Sequence, residues 1–110
     1  MELKNVTAGV TDWSQVPASE QRGESGRATF RARQIGDIQL RLVEFSPGFR
    51  TERWCPKGHI LLVLSGTLTV EHQDGPTYRL SAGMTYHAPD DAGSPHRAFS
   101  DDGAEFFIVD

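Results

Sequence analysis

Hydrophobic positions in this chain come in short runs that are separated by turn residues. Eleven glycines and six prolines divide the 110 residues into segments of about four to eight residues rich in Val, Ile, Leu, Phe and Thr. Short segments of this kind, with turn signals between them, are typical of antiparallel β-sandwiches and barrels. The longest uninterrupted apolar run, residues 60–64, is far shorter than the ~20 residues that a membrane span needs. The pattern therefore predicts an all-β protein.

Nine strands are predicted from these segments, and a helix is predicted only as a single turn over residues 12–16, with Asp12 as its N-cap. Residues 17–26 are polar and contain glycine, so we predict a surface loop there. Turns are expected at Ser46-Pro47-Gly48, Ser65-Gly66 and Asp74-Gly75-Pro76. The predicted strands span residues 28–34, 38–45, 49–54, 59–64, 67–72, 77–80, 84–88, 96–99 and 105–109.

Length and composition predict a single domain, with an N-terminal arm and loop at 1–26 and a barrel at 27–110. A chain of 12.2 kDa can bury about 65% of its surface, which is sufficient for one core. The net charge is −4, so the chain lacks the excess positive charge that is typical of nucleic-acid-binding modules. No nucleic-acid partner is therefore expected. A single cysteine excludes an intramolecular disulfide and fits a reducing compartment. The N-terminus has no apolar signal segment, so we expect a cytoplasmic protein without a membrane partner.

The segment at 59–64 is apolar on both of its faces. His59, Leu61 and Val63 share one face of the predicted strand, while Ile60, Leu62 and Leu64 share the other. A strand of this kind is expected to be covered on both sides. The second cover is either the N-terminal arm or second sheet, or a second copy of the chain in a homodimer.

Candidate ligands for a metal ion lie between residues 55 and 96. Cys55 precedes a Pro56-Lys57-Gly58 turn and His59 follows it, while His96 begins a later strand. One cysteine and two histidines suit Zn²⁺ or copper. The spacing alone is a weak signal, because a lone buried cysteine is more often an inert small hydrophobe.

Two further histidines have less specific signals. His87 alternates with Thr85 and could point inward, either as a core histidine with its polar atoms satisfied or as a residue of a binding site. His72 lies beside the Asp74-Gly75 turn on a polar strand end, so we predict that it is solvated.

Two segments, residues 47–66 and 83–100, resemble the two motifs of the cupin superfamily. In the first motif the pattern H-x-H-x₃-E is followed by a glycine. With Gly66 as that glycine, the glutamate position falls on His59, the second histidine on Cys55 and the first on Arg53.

The second cupin motif matches through Gly83, Pro89 and His96, and Ser100 stands at its terminal asparagine. The chain most resembles the small single-domain cupins called DHCW-motif proteins. The matching features are Trp54-Cys55, Lys57-Gly58-His59, Asp90-Asp91, Pro95-His96-Arg97 and the ending Phe107-Ile108-Val109-Asp110. An aspartate and a histidine precede the Trp-Cys pair in that group, and Glu52 and Arg53 stand there in this chain.

The resemblance implies a cupin double-sheet, jelly-roll-like β-barrel with an N-terminal arm. It implies a metal site built from Cys55, His59 and His96, for zinc most readily and otherwise for copper or iron. Arg53 cannot ligate a metal, because its guanidinium stays protonated and has no acceptor. Either three donors hold the metal while Arg53, with His87, binds a small anionic substrate, or the site is a metal-free polar pocket. A metal-dependent enzyme, a non-catalytic binding or sensing module and a purely structural role all remain compatible with these residues.

Overall fold

A computed structural model describes residues 2–90 and 95–110, and within these ranges the protein is all-β, as predicted. Asp91, which belongs to one of the motif matches, lies outside the described residues. Within the described part of the chain, no helix is long and apolar enough to cross a membrane. The strands are β1 (Ser19–Arg22), β2 (Arg27–Ile35), β3 (Ile38–Phe45), β4 (His59–His72), β5 (Thr77–Ser81), β6 (Thr85–Ala88), β7 (His96–Phe99) and β8 (Ala104–Val109).

These strands form two antiparallel sheets that share β4. The first sheet has the order β1-β2-β3-β8-β4-β6, and the second has the order β5-β4-β7. The first half of β4 pairs with β6 and β8, whereas its second half pairs with β5 and β7. One strand therefore connects the two layers of the sandwich.

The long strand β4 is bent in its middle. A straight strand of this length would extend about 43 Å, which exceeds the 37 Å longest dimension of the molecule. The pairing with β8 shifts register between Val63 and Ser65, and Gly66 has a φ of 75°. A Cβ at Gly66 would collide with the carbonyl oxygen of Gly103. The predicted Ser65-Gly66 turn is thus a bulged bend within a continuous strand, and it brings both ends of β4 to the same end of the sandwich.

The hydrophobic core lies between the two sheets and follows the alternation of the strands. Val63, Leu68 and Val70 of β4 are almost fully buried. The rings of Phe45 and Phe106 pack against each other with centroids 4.9 Å apart, on strands that are neighbours in the first sheet. This packing closes the end of the sandwich at which β4 bends. The two ends of β4 lie at the opposite end of the sandwich.

Two segments differ from the sequence-based prediction. Residues 49–54, predicted as a strand, form only isolated bridges at Phe49 and Arg50, because this stretch crosses from one sheet to the other. The predicted loop at 17–26 contains β1, which pairs with β2 along four residues. The sequence of β1 shows no alternation of polar and apolar residues, because all four of its residues are exposed. The predicted helical turn is confirmed as a 3₁₀ turn, Trp13–Gln15, with the Asp12 side chain accepting a hydrogen bond from the Ser14 backbone N–H.

The outer face of the first sheet is only partly covered. The 3₁₀ turn packs on this face, where Trp13 makes an edge-to-face contact with Phe107 and Arg31 donates a hydrogen bond of 2.6 Å to the Val16 carbonyl. Ile60 and Leu64 nevertheless remain 47% and 44% exposed. The N-terminal arm therefore covers part of this face, and a homodimer contact on the rest stays a prediction.

Candidate metal centre

Cys55, His59 and His96 come together at one end of the sandwich. One ligand atom from each of them lies within 4.8 Å of the other two. Cys55 is held in place by its backbone, which exchanges hydrogen bonds of 2.7 and 3.0 Å with the backbone of His96. His59 begins β4, and its side chain points inward with Leu61. The convergence that the sequence predicted for these three residues is present in the structure.

A close contact between two loops sets the position of His59. The backbone N–H of Gly58 donates a hydrogen bond of 2.7 Å to the Asp90 side chain. A Cβ on Gly58 would lie 2.6 Å from the Ala88 carbonyl oxygen and from the Pro89 carbonyl carbon. Only glycine allows this approach, and the hairpin between Cys55 and His59 is thereby fastened to the chain that follows β6.

The two imidazoles of the cluster face each other through their Nε2 atoms, which are 2.9 Å apart. Burial, followed by the neighbouring His96, lowers the pKa of His59 from 6.5 to about 4, although Asp110 acts in the opposite direction. Burial and then His72 lower the pKa of His96. Both rings are therefore neutral near pH 7 and have a lone pair available, which is the form in which histidine binds metals.

A buried ionic group lies behind His59. The Asp110 carboxylate, with 6% of its side chain exposed, accepts a hydrogen bond of 2.7 Å from Arg41 and lies 4.0 Å from Nδ1 of His59. His59 Nδ1, Asp110 Oδ1 and Arg41 Nε are buried and have no hydrogen-bond partner among the described residues. At 4.0 Å the Asp110 carboxylate does not form a hydrogen bond with Nδ1 of His59, so it acts on this ring through its charge.

Sequence reasoning missed Arg41 and Asp110, although one signal was present. Arg41 shares the inward face of β3 with Val43 and Phe45, so a charged residue interrupts an apolar row of period two. A buried charge requires a partner, but the identity of that partner depends on the pairing of β3 with β8.

A cavity of about 350 Å³ adjoins the cluster, and Cys55, His59 and His96 are part of its wall. Arg53 also lines the cavity and is exposed, so it lies at the opening, as the sequence predicted. Arg97 is a further lining residue. Its guanidinium lies 4.3 Å from the centre of the Trp54 ring and forms an ion pair of 2.8 Å with Glu71.

The remaining histidines occupy positions that differ from the prediction. His87 is exposed and does not line the cavity, because β6 pairs it with Ile60 on the outer face while its neighbour Tyr86 points inward. The inward orientation considered for His87 is therefore wrong. His72 is half-buried rather than solvated, and its Nε2 forms a hydrogen bond of 2.7 Å with the Tyr86 hydroxyl. Burial raises the pKa of Tyr86, with Tyr78 and Cys55 adding to this effect.

Comparison with known proteins identifies the fold. No family model and no curated protein sequence matches the chain. Among solved structures, the chain is similar to a cupin-like protein from Thermotoga maritima, with 22% identity over 81% of this chain and 77% of that one and a TM-score of 0.65. It is also similar to an RmlC-like cupin from Shewanella frigidimarina, with 15% identity over 96% and 91% of the two chains and a TM-score of 0.73.

A third similar structure is an enzyme, Fe(II)-HppE in complex with an alternative substrate. It has 11% identity to this chain, covers 94% of this chain and 60% of its own, and has a TM-score of 0.74. At these identities the likeness shows the fold, and the narrower resemblance to DHCW-motif proteins stays a prediction. The two-sheet architecture, the bent shared strand and these structural matches together show that the chain has the cupin fold.

Proposed function

We propose that Cys55, His59 and His96 hold a divalent metal ion in a pocket that acts on or binds a small anionic molecule. The observation that carries the proposal is the convergence of one thiol and two imidazoles within 4.8 Å. Zinc is the expected ion, with copper or iron as alternatives, because nitrogen and sulfur donors suit all three.

The residues suit a metal ion in type and protonation, and small side-chain shifts would complete the geometry. Ligands of a tetrahedral zinc ion lie roughly 3.3–3.7 Å apart, given bonds of about 2.0–2.3 Å. The Nε2 atoms of His59 and His96 are closer than this, at 2.9 Å, and the three donors together span at most 4.8 Å. The lowered pKa values of His59 and His96 keep both rings neutral. Three protein donors leave one coordination position open, which is typical of catalytic rather than structural sites.

Each neighbouring side chain has a distinct role in this proposal. A bound metal would supply Lewis acidity and lower the pKa of coordinated water. Arg53, at the opening, binds the anionic group of the ligand. The Asp110 carboxylate lies 4.0 Å from Nδ1 of His59, and a shift of about 1 Å would let it accept a hydrogen bond from this ring and orient it. The similar structure that contains iron, Fe(II)-HppE, supports a metal in a pocket of this fold. The exposed position of His87 removes that residue from the proposed substrate site.

Elemental analysis of protein purified without a metal-affinity column tests the proposal directly, and we expect about one transition-metal ion per chain. Titration of the metal-free protein with Co²⁺ should produce the near-ultraviolet band of a thiolate ligand, which Cys55→Ser should abolish. His96→Ala should weaken Co²⁺ binding strongly. His87→Ala, a change on the outer face, is the matched control and should leave it unchanged. Absence of a metal together with absence of the Co²⁺ band would refute the metal site.

Two observations favour a second candidate, a metal-free module that binds or senses a small ligand without turnover. The Nε2 atoms of His59 and His96 are already at hydrogen-bonding distance from each other, and Arg53 stands where the cupin motif has its first histidine. This candidate predicts that small anions raise the melting temperature of metal-free protein, while Co²⁺ does not.

Two further predictions from the sequence belong to this proposal. We propose that the protein acts in the cytoplasm, because Cys55 must remain a free thiol to serve as a ligand. We also propose a homodimer in which the exposed Ile60 and Leu64 of two copies are in contact.

A further inference from the structure

The cavity beside the candidate metal centre is polar at one end and apolar along most of its wall. Of the eighteen described residues that line it, ten are Ala, Val, Leu, Ile or Phe. Next to His59 the inward positions of the first sheet are Leu61 and Ile108, which are paired in register. The following layer contains Val43 and Phe106, again paired in register. Beyond the cluster of donors, a ligand would therefore contact mainly hydrocarbon.

The charges of the cavity are almost fully balanced by residues of the protein. Arg41 is paired with Asp110 at 2.7 Å, and Arg97 is paired with Glu71 at 2.8 Å. Arg53 has no ion pair within residues 2–90 and 95–110, the part of the chain that the structure describes. One uncompensated guanidinium thus remains at the opening, and it can form two parallel hydrogen bonds with a carboxylate.

Building on the anion pocket proposed above, we infer that its ligand is a monocarboxylic acid with an apolar body, such as an aromatic or branched aliphatic acid. The carboxylate is placed between Arg53 and the donor cluster. The hydrocarbon part occupies the layers formed by Leu61, Ile108, Val43 and Phe106. A cavity of about 350 Å³ has the volume of roughly a dozen water molecules at about 30 Å³ each, which limits the ligand to about that number of non-hydrogen atoms.

The same wall disfavours a sugar phosphate. Its hydroxyl groups would lose hydrogen bonds to water and find no acceptors on Val43, Phe106 and the other hydrocarbon side chains. In the metal-free pocket, a phosphate dianion would also bring more negative charge than the one unpaired guanidinium of Arg53 can balance. Chemical polarity, more than size, separates the two ligand classes.

Isothermal titration calorimetry with four probes tests this inference, on metal-free and on Co²⁺-loaded protein. The probes are 3-phenylpropanoate, acetate, 3-phenylpropan-1-ol and glucose 6-phosphate. We expect 3-phenylpropanoate to bind at least about tenfold more tightly than each of the other three, because it alone combines one carboxylate with an apolar body. Tighter binding of glucose 6-phosphate, or equal binding of acetate, would overturn the inference.

A pair of arginine variants locates the carboxylate. Arg53→Gln should weaken 3-phenylpropanoate about tenfold, on the scale of a lost charge-assisted hydrogen bond, without changing the affinity for 3-phenylpropan-1-ol. Arg33→Gln makes the same charge change at an exposed residue that does not line the cavity, and it should have no effect. An equal loss in both variants would refute the assigned role of Arg53. Both arginines are exposed, so neither variant is expected to unfold the protein.

The titrations also separate this inference from the metal proposal. Preference for 3-phenylpropanoate without a Co²⁺ thiolate band would refute the metal site and support the ligand class. Binding of Co²⁺ through Cys55 together with a preference for glucose 6-phosphate would support the metal site and refute the ligand class.

Discussion

The two faces of the first half of β4 have similar side chains but very different surroundings. On the inward face, Leu61 and Val63 are 3% and 0% exposed, whereas on the outward face Ile60 and Leu64 are 47% and 44% exposed. The inward row begins at His59, a candidate metal ligand whose side chain is only 8% exposed. Alternation thus decides which residues share a face, but the opposing layer decides whether that face becomes a core, a site or a surface.

The largest expected difference between the two faces is in stability. Leu61→Ala should reduce the free energy of unfolding by about 2–3 kcal/mol, because it removes buried hydrocarbon from the wall of the cavity. Leu64→Ala removes the same atoms from the outward face and, at concentrations where the protein is a monomer, should cost less than about 1 kcal/mol. Urea denaturation measures both values, and equal losses would show that the outward face is as closely packed as the inward one.

The histidines of the two faces should differ in their effect on the pH dependence of stability. The pKa of His59 falls from 6.5 to about 4 on folding, so the unfolded state binds more protons between these pH values. The metal-free protein should therefore lose stability as the pH falls from about 6.5 to 4, by up to about 3 kcal/mol from this residue. This loss should be complete below pH 4.

Variants of the two histidines test that assignment. His59→Gln should flatten the dependence of unfolding free energy on pH in this range, whereas His87→Gln, on the exposed outer face, should leave it unchanged. A slope that survives His59→Gln would assign the effect to other groups.

A smaller change, in metal affinity, is expected when a fourth metal ligand is introduced at residue 53. Arg53→His replaces a cation that repels a metal ion with an imidazole that can ligate it. We expect Co²⁺ to bind about tenfold more tightly, which corresponds to 1.4 kcal/mol. Arg33→His, which changes an exposed arginine that does not line the cavity, provides the control. Unchanged or weaker binding in Arg53→His would place residue 53 too far from the donors to contribute.

The substitution with the smallest expected effect on the fold, Leu62→Glu, tests whether the protein forms a dimer. Leu62 lies on the outward face and is half-buried. Leu62→Glu should shift the protein from dimer to monomer in analytical ultracentrifugation, because a charge would be buried in the proposed contact. If the wild-type protein already sediments as a monomer at high concentration, the proposed dimer is wrong, and the N-terminal arm or the second sheet is left as the cover of this face.

Much of the fold could be predicted from periodicity and turn residues. The bounds of β3 and β7 agree with the prediction, and the N-cap at Asp12 is present. β1 escaped detection because its residues Ser19–Arg22 are all exposed and show no alternation of polarity. The segment 49–54 has apolar residues only at its two ends, Phe49 and Trp54. It forms isolated bridges without a ladder, so the sequence suggested a strand that the chain does not form.

Local pattern was also sufficient to place His59 on the same face as Leu61, and side-chain chemistry was sufficient to select Cys55, His59 and His96 as donors. The orientation of His87 and the contact between Arg41 and Asp110 depend on how the strands pair. The register of β6 on β4 turns His87 outward, and the adjacency of β3 and β8 brings Arg41 to Asp110. These contacts join residues far apart in the chain, and a shift of one residue in register would reverse each of them, so they depend on packing of the whole sandwich rather than on any segment alone.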